Sequence, residues 1–551
     1  MTKRFALKKI DKNEANQDGL GWRWSSRFLA IIVLIPLAVI IGSWAIIDPE
    51  IWSHLSSTIL NDLILNTTIL IFGVGLGTTV LGVSLAWLTS LCDFPGRKIL
   101  DWALMLPFAL PAYVLAFVFL GIFDFSGPIQ QIIRDWYSLP EGWSIEIRNA
   151  FGVVLVMTLV LYPYVYMLSR ASFLGQGQSS YEAARSLGRG PWSAFFHVSL
   201  PMARPGIIAG LSLALMEALA DFGAVAVFNF DTFTTAIYKA WFGLFDLHSA
   251  AQLASILLTF VLVVLVIERR FRYRASYADD IRNGVKQRFK LRGAKGFIAS
   301  FYAWTILFFA FMLPVGQLAV WGWDRLEFID QRYWDLVGHT FTLGLIAALL
   351  TICGAFILAF SNRYYRDSFT RFGVRVGTLG YALPGSVLAV GVMLSLTWID
   401  NRFADGLEWI LGYDPGLFFS GTVFALIMAY FVRFLAVAFG PIDSSLERIR
   451  PTLREAARSM GAQQREIIQR IYIPILRPGL LTAGLLVLVD VMKEMPATLL
   501  LRPFGWDTLA VKIFELTSEG QWERASLPAL ALVAVGLLPV ILLVRKSVGK
   551  Y

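Results

Sequence analysis

Apolar residues along this chain gather into runs of about 20 positions that carry almost no charge, long enough for an α-helix to cross a hydrocarbon core. The runs fall at 28–47, 68–91, 102–122, 151–169, 207–228 and 250–267, and again at 297–321, 340–360, 376–398, 419–438, 480–501 and 526–544. They predict an all-α polytopic membrane protein with about 12 transmembrane helices. Charged stretches separate them. One of these, 268–296, is expected to run outside the bilayer, where water can satisfy its backbone.

The two sets of six are copies of one unit. Glu182-Ala183-Ala184-Arg185-Ser186-Leu187-Gly188, followed by Pro201, Pro205 and Gly206, returns as Glu455-Ala456-Ala457-Arg458-Ser459-Met460-Gly461, followed by Pro474, Pro478 and Gly479, every position moved by the same step that separates Glu182 from Glu455. Leu110-Pro111 and Leu383-Pro384, Leu115-Ala116 and Leu388-Ala389, and the acidic pairs Glu217/Asp221 and Asp490/Glu494 keep the same spacing. A period this long in 551 residues marks a duplicated domain, not a solenoid of short repeats. The expected organisation is a cytoplasmic segment at 1–27, a first repeat at 28–270, a basic cytoplasmic linker at 271–296 and a second repeat at 297–551. With an even number of crossings in each, the repeats are parallel, related by an axis along the membrane normal.

Composition agrees. Hydrophobic residues make up 57% and charged residues 16%, against about 45–50% and about 25% in soluble proteins, which excludes a soluble enzyme with unusually apolar helices. Cys92 and Cys353, and His54, His197, His248 and His339, are scattered and form no metal-ligand spacing. A catalytic metal centre or bound cofactor is therefore not expected. The net charge of +9 sits between apolar runs, where the positive-inside rule accounts for it without nucleic acid. Ten Lys or Arg in 268–295 oppose three acidic residues, and Arg170, Arg185, Arg189 and Arg204 oppose Glu182, whereas 123–150 is net acidic. Residues 1–27, with Lys3, Arg4, Lys8, Lys9, Lys12, Arg23 and Arg27, lead into a run long enough to remain as an uncleaved span. Both termini are expected in the cytoplasm.

The repeated segment lies in a long cytoplasmic link of each half. It reads as a helix, a glycine, a second amphipathic stretch and a proline at the return to the membrane. Gly188 and Gly461 permit a backbone conformation closed to larger residues. Pro201 and Pro474 are expected to separate the surface helix from the next span. Each half thus projects a short helical platform suited to the same kind of partner.

These residues resemble the transmembrane permease subunit of bacterial ABC importers supplied by a binding protein, in particular the fused two-half ferric-iron permeases. The resemblance implies a type I ABC importer permease fold. It makes Glu182, Ala183, Ala184, Gly188 and Pro201, with Glu455, Ala456, Ala457, Gly461 and Pro474, the surface that docks onto two copies of an ABC ATPase. No Gly-rich loop ending in Gly-Lys-Ser/Thr occurs, so ATP and magnesium belong to that partner and the chain is a transport subunit without an ATPase site. The implied location is the bacterial inner membrane, with a periplasmic or lipid-anchored iron-binding protein meeting outer loops at 123–150, 229–249, 399–418 and 502–525.

Intramembrane charges are functional candidates. Glu217 and Asp221, four apart, are expected on one helix face, with Asp490 and Glu494 matching them beside Lys493; the set could line a cation passage or pair internally to hold the halves together. Ala220-Asp221-Phe222-Gly223 and Lys493-Glu494-Met495-Pro496-Ala497-Thr498 are similar to the ferric-iron permeases. Iron(III) prefers oxygen ligands, so transient metal contact at these acids is an expectation. A thiamine or other small-cation importer is the alternative, with phosphonate, polyamine or sulfate uptake behind it, and an ion-driven secondary transporter the distant one.

Overall fold

A computed structural model describes residues 12–140, 143–175, 186–188, 190–273, 288–365, 367–411 and 416–548. Ten of its helices are long and apolar enough to cross a membrane. The pair Arg97–Ala109 and Ala112–Ile122, bent by 92°, would make an eleventh, and Ser526–Leu542 is a shorter apolar helical stretch. The described residues thus give ten or eleven crossings against the twelve expected, the last expected run, 526–544, falling on the shorter stretch. Large apolar side chains such as Phe72, Leu76, Phe297 and Leu481 stand exposed on these helices, as lipid-facing surfaces require.

The chain divides into two compact units that interleave the sequence repeats. One contains Met1–Val39, Phe341–Ala382 and Gly391–Val491; the other contains Ile40–Thr340, Leu383–Val390 and Met492–Tyr551.

In the larger unit, helix Ala150–Gly175 is packed on two sides by glycine seams. A Cβ on Gly73, Gly77 or Gly82 of helix Leu60–Leu91 would come within 2.8 Å of Val154, Thr158 or Val165. One on Gly206 of helix Leu200–Ala220 would lie 2.0 Å from the Ser172 Oγ. Apolar surface alone gives no preference between lipid and another helix, so close backbone approach through small residues drives the packing. Polar ties add direction: the buried Tyr162 hydroxyl donates to the Leu104 carbonyl (3.0 Å), and Arg170 holds Asp101 through two bonds of 2.7 and 2.6 Å. The described end of the linker is anchored here too, Phe289–Lys290 pairing in parallel with Cys92–Asp93.

In the smaller unit, the same seam recurs at the duplicated position: a Cβ on Gly479, the counterpart of Gly206, would lie 2.2 Å from the Ser445 Oγ. The N-terminal helix Lys12–Gly42 contributes Trp22, whose ring packs against Phe356 and Phe360 at 6.1 and 4.6 Å, and Arg27, which meets Asp367 at 3.4 Å. Ser361, far along the chain, donates to the Trp22 carbonyl. Asp400, fully buried, accepts from the amides of Phe418, Phe419 and Ser420, fastening that loop to helix Gly385–Leu411.

Prolines contradict one expectation. Pro201 and Pro474 do not separate a surface helix from a span; both lie inside continuous helices, Phe195–Ala220 and Gln464–Lys493. Each follows a π-turn, Phe195–Ser199 or Ile468–Tyr472, in which the amide of Leu200 or Ile473 reaches back five residues to Phe195 or Ile468. Pro314 stands in the same register after the π-turn Phe308–Met312. The wider turn makes room for a ring that would strike the carbonyl four residues back and takes up the missing amide bond, so the helix continues.

Candidate functional site

The second platform is helix Pro451–Ser459. Its apolar anchor is Ala457, which is buried, while Glu455 and Ala456 face outward and are exposed. The helix ends where Gly461 adopts φ 86°. The Gly461 amide then donates to Arg458 O (2.9 Å) and the Ala462 amide to Ala457 O (3.1 Å), satisfying carbonyls the helix would otherwise leave open. Helix Gln464–Ile467 restarts at once, its Gln463 amide bonded by Glu466, and the Gln464 side-chain oxygen Oε1 accepts from Arg454 and Arg458. The two short helices form one braced piece.

That piece is fixed to the membrane helices by an arginine–aromatic stack. The Arg454 guanidinium lies 4.3 Å from the centre of the Tyr364 ring at the end of helix Gln331–Tyr364, and 5.9 Å from that of Phe360. Tyr364 and Tyr472 share a hydrogen bond through their hydroxyls, and Tyr472 belongs to the π-turn. Arg363 also donates to the Ile449 carbonyl just before the platform. Arg454, Tyr364 and Tyr472 thus join the platform to two spans.

Of the first platform, Glu182, Ala183 and Ala184 lie outside the described residues. Gly188 has φ 83°, as Gly461 has its own positive φ, and like it leaves open space around a would-be Cβ. The residues preceding these glycines, Leu187 and Met460, are 84% and 81% exposed. Two large apolar side chains thus stand exposed at equivalent positions of the two repeats.

The carboxylates correct a second expectation. Glu217 is in helix Leu200–Ala220, but that helix stops before Asp221, whose side chain turns to accept from the amides of Ala224 (2.8 Å) and Val225 (3.3 Å). Glu217 and Asp221 thus do not share a continuous helix face. Glu494, the duplicate of Asp221, does the same, accepting from the Ala497 amide at 3.1 Å after helix Ile473–Lys493 ends. Each acid caps a short new helix, Gly223–Val227 or Pro496–Leu501, because a carboxylate satisfies the open amides and suits the positive helix end. Glu217, Asp221, Lys493 and Glu494 belong to the larger unit and Asp490 to the smaller. Lys493 donates to the Phe108 carbonyl (3.0 Å). Within the larger unit Asp221 is within electrostatic reach of Glu217 and Glu494. Among the described residues, no group of three His, Cys, Asp or Glu is placed to hold a metal.

Helix breaks and the platform glycines thus recur at duplicated positions of the sequence. The family described as binding-protein-dependent transport system inner membrane component matches residues 78–273 and again 351–548. The chain belongs to this family. It is an ABC importer permease carrying both family domains in one polypeptide, a multi-pass inner-membrane protein. The permease is 28% identical to the Fe(3+)-transport system permease protein FbpB 2 of Haemophilus influenzae, over 88% of this chain and 89% of that protein. It is 32% identical to the molybdenum transport system permease protein ModB of Escherichia coli K12 over 34% of this chain and 82% of the relative. Against the sulfate transport system permease protein CysT of Escherichia coli K12 it is 26% identical over 43% of this chain and 86% of the relative.

Proposed function

We propose that this permease carries iron(III) from a periplasmic or lipid-anchored binding protein to the cytoplasm, driven by ATP hydrolysis on two copies of a separate ABC ATPase. The observation that carries the solute assignment is the extent of likeness: the iron(III) relative aligns over both halves, the molybdenum and sulfate relatives over about one. Charge supports it. Asp221 and Glu494 stand at helix breaks, where a carboxylate disfavours an oxyanion and attracts a hard cation.

In this reading ATP and magnesium are bound by the partner, and the chain has no catalytic role and no cofactor. Both termini and the linker at 271–296 face the cytoplasm, and the boundaries at 27, 270 and 296 separate the N-terminal segment, linker and two permease repeats. Glu182, Ala183, Ala184, Gly188 and Pro201, with Glu455, Ala456, Ala457, Gly461 and Pro474, form the coupling segments, and Leu187 and Met460 dock between them. Closure of the ATPase dimer shifts the platforms. The Arg454–Tyr364–Tyr472 contact hands that shift to the spans, which changes the side of the membrane to which the passage opens. Glu217, Asp221, Asp490, Lys493 and Glu494 lie along the passage.

The test is reconstitution in liposomes with the ATPase and binding protein. ATP-dependent iron(III) accumulation is expected, abolished by Glu182→Ala with Glu455→Ala while the permease stays folded. Thiamine or molybdate accumulation without iron would overturn the solute and leave the ABC importer reading intact.

A further inference from the structure

Tyr113 is the feature that no sequence motif singled out. It sits in the first turn of helix Ala112–Ile122, directly after the 92° bend. The base of its side chain lies against the first of the two helix breaks, and the second meets it there: a Cβ on Gly223 would come within 2.6 Å of the Tyr113 Cβ and 2.5 Å of the Met495 Cε. Gly223 follows Asp221 by two residues, and Met495 follows Glu494. The side chain is buried, at 5% exposure, yet its hydroxyl has no hydrogen-bond partner among the described residues. A buried phenol without a partner forgoes a bond worth about 1–3 kcal/mol, and buried tyrosines usually find one. Both Asp221 and Glu494 are within electrostatic reach of it. The arrangement lies wholly within one compact unit. The repeat adds an independent sign: Ser386, the duplicate position of Tyr113, is also buried in that unit with a hydroxyl lacking a partner among the described residues.

We infer that Tyr113, with Asp221 and Glu494, forms an all-oxygen transit site that takes a hard, multiply charged cation during passage. The inference rests on the cationic-solute reading above. The chemistry suits such an ion: two carboxylates and a phenol oxygen are hard donors. Each carboxylate is also engaged by backbone amides, so it can be shared with the ion without forming a closed cage, and loose binding is what passage demands. When the phenol oxygen takes the metal, its proton moves to one carboxylate and the other remains the anionic ligand. Charge and atoms balance with no oxidant or reductant. Met495 and Gly223 set how near the ring stands to the two breaks, so a change in either helix end opens or closes the site.

The complete transporter, with its ATPase and binding protein in lipid nanodiscs, is loaded with iron(III) supplied as citrate. A phenolate bound to iron(III) gives a visible charge-transfer band. The band is expected in the native protein, absent in Tyr113→Phe and weakened in Asp221→Asn and Glu494→Gln. Uptake in Tyr113→Phe should fall on the order of 10–100-fold, at least the scale on which losing an outer-shell partner weakens a metal site, while stimulation of the ATPase by the loaded binding protein is kept. Native uptake and no change in the band in an assembled Tyr113→Phe complex would overturn the transit site and leave iron import standing. If the native complex accumulates no iron, the solute reading itself fails. Gallium(III), matched in charge but without the band, should compete with iron for uptake by the native protein; failure to compete would also refute a site that recognises hard trivalent charge.

Discussion

Replacing Gly461 with alanine isolates one physical effect. The residue holds φ 86°, and the space a Cβ would enter is empty to 4 Å, so the substitution meets no neighbour. What remains is the intrinsic cost of left-handed backbone, about 1–2 kcal/mol for a residue with a Cβ. That conformation aims the Gly461 and Ala462 amides at the last carbonyls of the platform helix, so the cost is a cost of holding the platform ready to dock. At about 1.4 kcal/mol per decade it weakens the ATPase–permease complex by about 5–30-fold. Asparagine, which enters the left-handed region more readily, should lose much less. The assay is titration of purified ATPase onto nanodisc-embedded permease, with ATP-driven uptake measured alongside. Equal losses for Gly461→Ala and Gly461→Asn would refute the backbone account, since both add a Cβ; no loss for alanine would refute the claim that this turn matters for docking. Gly188→Ala, at φ 83° and equally unobstructed, should give the same loss.

Three further expectations concern stability. Gly479→Ala forces a Cβ to within 2.2 Å of the Ser445 Oγ and should cost about 1–3 kcal/mol by overpacking, seen as a lower melting temperature in detergent and partly restored by Ser445→Gly; lack of any restoration would place the strain elsewhere. Arg170→Leu leaves Asp101 without its two bonds; with side-chain exposures of 13% and 21%, the loss should be about 2–3 kcal/mol, below that of a fully buried pair, and a melting curve unchanged from the native one would contradict it. At Glu515, outside the spans, desolvation pushes the carboxyl up, but bonds from Arg502 and Lys512 outweigh it and hold the group below its ordinary value of 4.5. A lowered folded value means a contribution that is complete above pH 4.5 and disappears as pH falls through the lowered value. The stability gap between native protein and Glu515→Gln should therefore close in acid, and a gap independent of pH would rule the linkage out.

The spans and the duplication were legible because hydrocarbon imposes its length on every crossing and duplication repeats every local choice. What escaped the sequence is local competition within apolar runs. The residues around Asp221 and Glu494 read as uninterrupted spans, since hydrophobicity does not reveal that a carboxylate will turn back onto amides three residues ahead. The same blindness hid the 92° bend between Ala109 and Ala112, although Pro107 and Pro111 mark it in retrospect, and it led to the wrong role for Pro201 and Pro474, whose π-turns are invisible to residue type. The contact between Arg454 and Tyr364 joins distant parts of the second half; the first half carries Tyr181 and Leu91 at the corresponding positions of the sequence. Tyr113 carried one overlooked signal: with Ser386 it is a hydroxyl two places after the duplicated Leu-Pro.

The N-terminal part of the first helix finds its protein neighbours late, whereas the far end of that span is met by Gln252 and Ser255 of the first repeat. Trp22 and Arg27 pack against Phe356, Phe360, Ser361 and Asp367, side chains that leave the ribosome only after all of the first repeat and the linker have been made. At about 5–20 residues per second the Trp22–Arg27 end of the leading span waits roughly 15–70 s before its partners exist. A ribosome stalled within the linker would leave a nascent chain whose Trp22–Arg27 segment is still exposed to proteases and to insertion chaperones, and protection of that segment would begin only as the second set of spans emerges.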